Sequence, residues 1–251
     1  MMRYFLKLAY NGENYFGWQQ QPNQISVQEV LTNALSLLLK EKINLVGAGR
    51  TDTGVHAKAF YAHFDSENDY SELQRQQLLE RINNFLPQDI VIYEFFPVKD
   101  NQHARFDALS RTYRYYIATQ KMPFHTKFSH RVFYNLDMEK MNIACQKMMD
   151  YTDFTSFSKV HTQTKTNHCR IMQAHWFCEN DLLVFEITAD RFLRNMVRAI
   201  VGTLLEVGKG KLAITDFCTI IEQKNRCKAG VSVPAHALFL EKVDYASPLN
   251  F

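Results

Sequence analysis

An eleven-residue stretch, GAGRTDTGVHA at residues 47–57, combines glycines with side chains capable of acid–base or nucleophilic chemistry. Within it, Arg50 and Asp52 lie two positions apart, between Gly49 and Gly54. Glycines at this spacing let the backbone turn sharply, so a carboxylate can be presented at the end of a strand. Asp52 can then act as a nucleophile or a base, or it can cap a backbone N–H in an Asx-turn. The local composition alone favours the turn, and both interpretations stay open at this point.

A second group of charged residues lies in RFLRNMVRAIVGTLLEVG, residues 191–208, which is predicted to be a helix. Arg191, Arg194 and Arg198 follow each other at i, i+3 and i+7, which places them near one face of an otherwise mostly apolar helix. A buried arginine needs an anionic partner, because an unpaired buried charge is strongly destabilising. Asp52 is a candidate partner, and pairing would favour its ionised form. The alternative is a rim of arginines that bind phosphate or pair at the surface.

The charge distribution is uneven along the chain. Residues 66–100 contain seven acidic and three basic side chains, whereas residues 103–131 contain six basic side chains and one acidic side chain. The second segment also contains Tyr113, Tyr115 and Tyr116. Basic side chains interleaved with aromatic rings suit a surface that neutralises a nucleic-acid backbone and stacks on bases. A strand face whose arginines pair with acids elsewhere explains the charge pattern equally well.

Composition limits the class of protein. The chain has 251 residues, 46% of them hydrophobic and 22% charged, with a net charge of +3, which indicates one large or two modest globular domains. No apolar run approaches the roughly 20 residues that span a bilayer, and the first residues alternate too regularly for a signal peptide. A cytoplasmic protein is therefore expected. The five cysteines form no CxxC pair, and the His and Cys residues of segment 161–178 match no usual zinc spacing, which disfavours disulfide and metal sites.

The periodicity predicts the order β-α-β-β-α-β in each half of the chain. The first half contains the strands RYFLKLAY, INLVGAG, AFYAHFDS and IVIYEFF, with helices that follow Ser26 and Ser71. Each of these helices opens with a capping-box pattern. The second half contains the strands RTYRYYIAT, RIMQAHWFC, LLVFEITA and ALFLEKVDY. Its helices are DMEKMNIACQKMMD, the arginine-bearing segment and a shorter one near Thr215–Lys224.

This pattern predicts an α/β (α+β) fold made of two ferredoxin-like halves, residues 1–105 and 106–251. The halves are expected to form one mixed, mainly antiparallel sheet, with helices on one side and an active-site cleft on the other. No Gly/Ser-rich or Pro-rich linker separates them, so we expect one compact catalytic body.

Six ordered blocks of the chain resemble the tRNA pseudouridine synthase A family, and they run almost from end to end. GRTDTGVHA matches the family's active-site motif at every position, and YNGENYFGWQQQ with SVQEVL matches its N-terminal block. HARFDALSRTYRY, DFTSF, FLRNMVRAIVGTLLEVGKGK and PAHALFLEKVDY resemble its later blocks. GRTD alone would not be specific, whereas six blocks at family-like spacing are.

The resemblance implies an isomerase that converts uridine to pseudouridine at positions 38, 39 and 40 in the anticodon stem-loop of tRNA. It implies a homodimer that uses no metal and no organic cofactor. Asp52 would be the catalytic carboxylate, and Tyr113 would stack on the target base. Arg198 would pair with Asp52, Arg50 would help displace the target nucleotide, and Leu238 would pack beside the base.

The resemblance also assigns tRNA contacts to two segments, 102–106 and 161–165. Their residues are Gln102, His103, Ala104, Arg105 and Phe106, and His161, Thr162, Gln163, Thr164 and Lys165.

The chain departs from the family pattern at four positions. Asn11 replaces an aspartate, which leaves the site untouched, and Ser232 and Val233 replace a more usual Thr-Ala. Ala237 replaces a frequent glycine. Since glycine permits positive φ and alanine resists it, the turn before Leu238 is expected to differ from that of the family.

Two alternative functions remain. A non-catalytic RNA-binding protein would use the same basic and aromatic surface but would have no need of Asp52 beside Arg50. A glycosidase acting on nucleosides would typically need two carboxylates that flank the scissile bond. One carboxylate lies in a motif here, and Asp65 and Asp107 lack comparable settings.

Overall fold

The computed structural model describes residues 1–159 and 166–246. The chain divides into two compact units. Unit 1 comprises Met1–Leu109 and Leu240–Phe251, and unit 2 comprises Ser110–Phe239. The segment that completes unit 1 thus follows the whole of unit 2 in the sequence.

Residues 1–109 fold in the predicted order β-α-β-β-α-β. The elements are β1 (Met2–Tyr10), α1 (Val27–Leu39), β2 (Val46–Gly47), β3 (His56–Ser66), α2 (Glu72–Phe85) and β4 (Ile90–Val98). Strand β1 is antiparallel to both β3 and β4, so that Phe5 lies opposite His63 on one side and Phe96 on the other. The predicted element order of the first half is confirmed.

Both helices of unit 1 begin where the capping residues predict. The Ser71 hydroxyl accepts from the Gln74 N–H, and the Gln74 side chain accepts from the Ser71 N–H, so α2 has a complete capping box. At α1, the Ser26 hydroxyl accepts from the Glu29 N–H at 3.2 Å. These contacts satisfy backbone donors that a first helical turn leaves unpaired.

Strand β2 is shorter than the predicted strand over residues 43–49. The backbone of that segment bonds partly to side chains of α1 rather than to a neighbouring strand. The Gln28 amide donates to the Leu45 carbonyl at 2.8 Å, and the Ile43 N–H donates to the Ser36 hydroxyl at 3.2 Å. Side-chain partners of this kind satisfy the backbone without a sheet ladder. The strand pairing with β3 covers Val46–Gly47, and the Ala48 N–H adds one bond to the Tyr61 carbonyl at 2.7 Å.

The core of unit 1 uses both faces of β1. On one face, Tyr4 packs against Phe64 and Phe95, with ring centroids 5.8 and 5.0 Å away. On the other face, Phe5 forms a buried cluster with Val98 and Ala104. Because successive side chains of a strand point to opposite faces, the alternation of Tyr4 and Phe5 places aromatic packing above and below the same strand.

The second half of the chain repeats the pattern with additional short elements. They are β5 (Ala108–Ala118), β6 (His130–Arg131), α3 (Met138–Met148), β7 (Ile171–Glu179), β8 (Leu182–Ala189), α4 (Met196–Gly208), α5 (Ile214–Glu222) and β9 (Leu238–Tyr245), whose residues from Leu240 onward belong to unit 1. Helix α4 is the central helix, since most of its residues are buried, and α3 packs against β7, α4 and α5. The predicted helices and strands of the second half are present, including the short helix α5.

The prediction that the helix of unit 2 begins at Arg191 is wrong. Helix α4 begins at Met196, because Asn195 adopts a left-handed conformation with φ of 66° that interrupts the helical path. Arg191 and Arg194 therefore precede the helix, and the predicted spacing of three arginines along one helix face does not exist. Arg198 is the one of the three that lies in α4.

In unit 1 the strands follow the hydrogen-bonded order β4-β1-β3-β9, with β2 beside β3. In unit 2 the order is β5-β8-β7, with β6 beside β5. Strands β5 and β8 are antiparallel, as are β7 and β8, whereas β5 and β6 run parallel. The predicted mixed, mainly antiparallel sheet is confirmed.

Candidate active site

Asp52 lies in the segment between β2 and β3, where both neighbouring peptide groups are held by hydrogen bonds. The Thr51 carbonyl accepts from the Trp18 N–H at 3.3 Å, and the Asp52 carbonyl accepts from the Val55 N–H at 3.1 Å. The second bond closes a turn in which Gly54 has a φ of 77°. The Asp52 side chain itself is half-buried. These bonds fix the backbone from which the Asp52 carboxylate projects.

The side chain before Asp52 is also held. The hydroxyl groups of Tyr10 and Thr51 form a buried hydrogen bond of 2.9 Å, and these residues are 4% and 8% exposed. Tyr10 is the last residue of β1, so this bond ties the Asp52 segment to the central strand of unit 1. Neither Tyr10 nor Thr51 was among the predicted site residues.

The segment 12–18 packs closely against the Asp52 segment, and two glycines make this possible. Gly17 has a φ of 84°, and a Cβ atom there would lie closer to the Thr51 carbonyl oxygen than real Cβ atoms ever do. Gly12 approaches the Val55 carbonyl in the same way, and its N–H donates to Nδ1 of the buried His56 at 3.0 Å. The N-terminal block noted in the sequence therefore forms a support for Asp52, a role that its local sequence did not reveal.

Arg50 lies at the surface two residues before Asp52. Its Nε donates to the side-chain oxygen of Gln19 at 3.1 Å, and the Gln19 amide donates to Gln28 at 2.6 Å. Arg50 is exposed, in contrast to Asp52. The guanidinium is thus oriented by a chain of side-chain hydrogen bonds while it stays accessible to a ligand.

The segment 102–106, predicted to contact tRNA, lies between β4 and β5 and folds around two histidines. Nδ1 of His103 accepts from the N–H groups of Arg105 and Phe106 at 3.1 and 3.3 Å. Nδ1 of His63, on β3, accepts from the Ala104 N–H at 3.2 Å. Since both nitrogens act as acceptors, these bonds require neutral imidazoles. The ring of Phe106 lies 4.3 Å from that of His103, tilted by 33°, and Phe106 is 75% exposed.

Acidification is expected to destabilise unit 1 through His63. Burial, then the neighbouring His103 and Arg3, lower the pKa of His63 from 6.5 to about 4, against opposing effects of Asp65 and Asp107. Between these values the unfolded chain binds the proton and the folded chain does not, so the free energy of unfolding falls as the pH falls from about 6.5 to about 4. The slope is at most about 1.4 kcal/mol per pH unit.

Urea unfolding between pH 7 and 4 measures this effect. His63→Asn is the matched variant, because its side-chain oxygen can accept from Ala104 while the group no longer titrates. We expect a shallower pH dependence for the variant than for the wild type. Equal slopes would show that His63 does not cause the acid sensitivity.

Tyr113, Arg198 and Leu238 are the predicted substrate-binding residues of unit 2. Tyr113 lies on β5 opposite Ile187 of β8, half-buried, with its ring edge-on to Phe192 at 5.1 Å. Arg198, in the first turn of α4, donates from Nε to the Val233 carbonyl at 2.7 Å, and the Val233 N–H donates to the Arg198 carbonyl at 3.2 Å. These two bonds tie residue 233 to the helix. Asp52 belongs to unit 1, and its pairing with Arg198 stays a prediction.

The departures from the family pattern fit this local structure. The Ser232 hydroxyl accepts from the Asn195 amide at 2.6 Å, a bond that the hydroxyl of threonine can also make. Ala237 is buried in a short 3-10 helix, Ala235–Ala237, and is not among the residues with positive φ. Alanine is therefore accommodated at position 237. The backbone there does not need the positive φ that would favour glycine in the turn before the buried Leu238.

His161, Thr162, Gln163, Thr164 and Lys165 lie outside the described residues. Within residues 1–159 and 166–246, no group of three His, Cys, Asp or Glu side chains could hold a metal ion. No helix in that same part of the chain is long and apolar enough to cross a membrane.

The fold and the site define a class of protein. It is an α/β protein with a repeated β-α-β-β-α-β order, in which the carboxylate of Asp52 lies on a turn that Gly12 and Gly17 contact closely. A family model described as tRNA pseudouridine synthase matches residues 8–107 and 144–246. The chain belongs to the tRNA pseudouridine synthase family, and it is accordingly an isomerase that forms pseudouridine in tRNA.

Individual relatives agree with this assignment. The chain is 55% identical over 249 residues to tRNA pseudouridine synthase A of Parabacteroides distasonis, covering 99% of this chain and 98% of the relative. It is 55% identical over 246 residues to the protein of the same name from Bacteroides fragilis, covering 98% and 97%. A relative of that name from Caldicellulosiruptor saccharolyticus is 38% identical over 247 residues, covering 98% and 100%.

Among solved structures, a Cbf5-Nop10-Gar1 complex matches with a TM-score of 0.32 and 9% identity. The match covers 81% of this chain and 54% of that chain.

Proposed function

We propose that this chain isomerises uridine to pseudouridine at positions 38, 39 and 40 of the tRNA anticodon stem-loop, with the carboxylate of Asp52 as the catalytic group. The observation that carries the proposal is the support of Asp52, whose segment is bonded to Trp18 and Tyr10 through Thr51 and closed by a turn to Val55. A carboxylate that serves only as a turn former would not need its segment to be fixed by buried residues of two other segments, β1 and 12–18.

The reaction is redox-neutral and requires no net transfer of groups to or from solvent beyond protons. The N1–C1′ bond breaks, the uracil turns, a C5–C1′ bond forms, the C5 proton is lost and N1 gains a proton. The Asp52 carboxylate can attack C1′ or C6, or it can take a proton from the sugar. All three routes place the same carboxylate at the target nucleotide.

A uridine in a stem is inaccessible until it leaves the stack, so the proposed reaction includes base flipping. Arg50, exposed and oriented by Gln19, is suited to fill the gap or to hold a phosphate. The half-buried ring of Tyr113 offers a surface for the detached base, and the buried Leu238 is proposed to pack beside it. Arg198 is proposed to pair with Asp52 and to keep it ionised.

The remaining parts of the proposal concern the RNA contact and the assembly. Residues Gln102–Phe106 form an ordered loop whose exposed end carries Arg105 and Phe106, a cation and a ring suited to phosphate and base. Segment 161–165 is proposed to contact tRNA as well. We further propose that the chain works as a homodimer in the cytoplasm, where its tRNA substrate is found.

Tritium release from tRNA labelled at uracil C5 tests the proposed reaction. The wild type is expected to release tritium, and chemical mapping is expected to place pseudouridine at positions 38, 39 and 40. Transcripts with cytidine at each of these positions are the matched controls, and a transcript with all three replaced should release nothing.

The alternative functions give different results in the same assay. Free uracil among the products would indicate a hydrolytic glycosidase. Tight tRNA binding without tritium release would indicate a non-catalytic RNA-binding protein. Release from the triply substituted transcript would refute the proposed positions.

A further inference from the structure

The segment 119–134 of unit 2, here named the basic aromatic loop, exposes aromatic side chains that the proposed active site does not use. Phe124 is 95% exposed and Phe133 is 79% exposed. Exposed phenylalanines are costly in water, and a group of them on one loop marks an interaction surface.

The base of the loop is firmly attached, so its exposed rings do not reflect an unfolded segment. The Val132 N–H donates to the Ala118 carbonyl at 2.9 Å, and β6 runs parallel to β5. The buried Ser129 donates its hydroxyl to the His125 carbonyl at 2.8 Å. Met122 packs against a buried cluster of β5 and β8. The loop is therefore a structured surface attached to the C-terminal end of β5.

The structure separates the basic residues of this region into two sets. On β5, Arg114 is paired with Glu186 at 2.6 Å and Glu179 at 3.3 Å, and Arg111 donates to the Asp190 carbonyl at 2.7 Å. These two arginines of β5 are therefore engaged in contacts with β7, β8 and the residue that follows β8. In contrast, the lysines and the arginine of the basic aromatic loop are exposed, and they are Lys121, Lys127 and Arg131.

Cations lie against two rings of the loop. Within the loop, the Arg131 guanidinium lies over the Phe133 ring at 4.5 Å, and Lys209, at the end of α4, lies over the Tyr134 ring at 4.0 Å. Residues 108–136 contain no aspartate or glutamate. A second copy of this surface placed across a two-fold axis would bring like charges together, which disfavours self-association. A polyanion that also offers flat rings is the complementary partner, and RNA has both properties.

We propose that the basic aromatic loop is an additional tRNA-binding surface, on which phosphates contact Lys121 and Arg131 and an unstacked base contacts Phe124. This inference rests on the proposed function for the identity of the RNA. It adds a contact to unit 2 that lies outside both segments to which the family resemblance assigns tRNA binding.

Equilibrium binding to full-length unmodified tRNA tests this surface. Phe124→Ala is expected to weaken binding by about fivefold to a hundredfold, the range for loss of one stacked base. Lys121→Ala is expected to lower the slope of log K against log salt concentration by about 0.7 to 0.9. The matched controls are Phe85→Ala and Lys42→Ala, which remove an exposed ring and an exposed cation from unit 1.

The possible results separate this inference from the proposed function. Equal tRNA affinity of Phe124→Ala and Phe85→Ala would overturn the inference, even if the wild type forms pseudouridine. A dimer-to-monomer shift of Phe124→Ala in sedimentation, with unchanged tRNA affinity, would overturn it in favour of an interface between copies. If the wild type releases no tritium but its tRNA affinity depends on Phe124, the inference stands and the proposed reaction fails.

Discussion

Replacing Asp52 by asparagine is expected to abolish pseudouridine formation while tRNA binding stays close to that of the wild type. Asparagine has nearly the same shape, but it cannot act as a carboxylate nucleophile or base. The backbone bonds of Thr51 and Asp52 to Trp18 and Val55 involve no side-chain oxygen of Asp52, so the segment should keep its position. We expect kcat to fall on the order of a thousandfold or more, as for the loss of a general acid–base group.

Asp181→Asn is the matched control for this experiment. It makes the same substitution and removes the same charge at an exposed position in the turn between β7 and β8. The φ of Asp181 is 63°, a conformation that asparagine tolerates well, so this variant should keep full activity. Tritium release and tRNA affinity should be measured for both variants. Substantial turnover by Asp52→Asn would remove Asp52 from the catalytic role.

The second large effect is expected at Gly17, which does not contact the substrate in the proposed reaction. Gly17→Ala introduces a Cβ atom against the Thr51 carbonyl and forces alanine to adopt a φ of 84°. The Asp52 segment must then shift, because the Asp52 carbonyl carbon is 3.1 Å from the same Cβ position. A displacement of about 1 Å can reduce turnover about a hundredfold. The free energy of unfolding should also fall by about 1–3 kcal/mol.

Gly49→Ala provides the control for Gly17→Ala within the same motif. No atom lies within 4 Å of a Cβ built at Gly49, and its backbone is outside the left-handed region. We therefore expect its activity and thermal unfolding to match those of the wild type. Both variants should be assayed below the unfolding temperature of Gly17→Ala, so that turnover is compared between folded proteins. Equal activity of the two variants would show that the contact with Gly17 does not position Asp52.

The features of the fold that depend on neighbouring residues could be predicted from the sequence. The Ser71–Gln74 capping box is an interaction within one helical turn, and the position of α2 followed from it. The length of β2 could not be predicted, because Gln28 and Ser36 of α1 satisfy the backbone of that segment from a distance along the chain. The start of α4 differs from the predicted start for another reason. Asn195 has an unexceptional helix propensity, and its left-handed conformation is not evident from the residue type.

Some residues of the candidate site could be predicted from the sequence and others could not. Asp52 and Arg50 could be predicted because one short motif contains the carboxylate, the cation and the glycines. The residues that hold this motif in place could not be predicted, because Tyr10, Gly12 and Gly17 contact it from another part of the chain. The glycines of the N-terminal block were the available signal. What their backbones contact became evident only from the folded chain.

Unit 1 starts at the first residue but is completed by residues that follow unit 2. The Tyr245 hydroxyl donates to the Ala104 carbonyl at 2.6 Å, its ring packs against Tyr61, and Glu241 pairs with Lys58 at 2.8 Å. Domains usually fold from the N-terminus onwards during translation. Here the ribosome must synthesise all of residues 110–239 before the 102–106 segment gains its last hydrogen-bond partner. The unit that carries Asp52 is therefore the first to be synthesised in part and the last to be completed. The final structure of segment 102–106, which is proposed to contact tRNA, depends on the synthesis of β9.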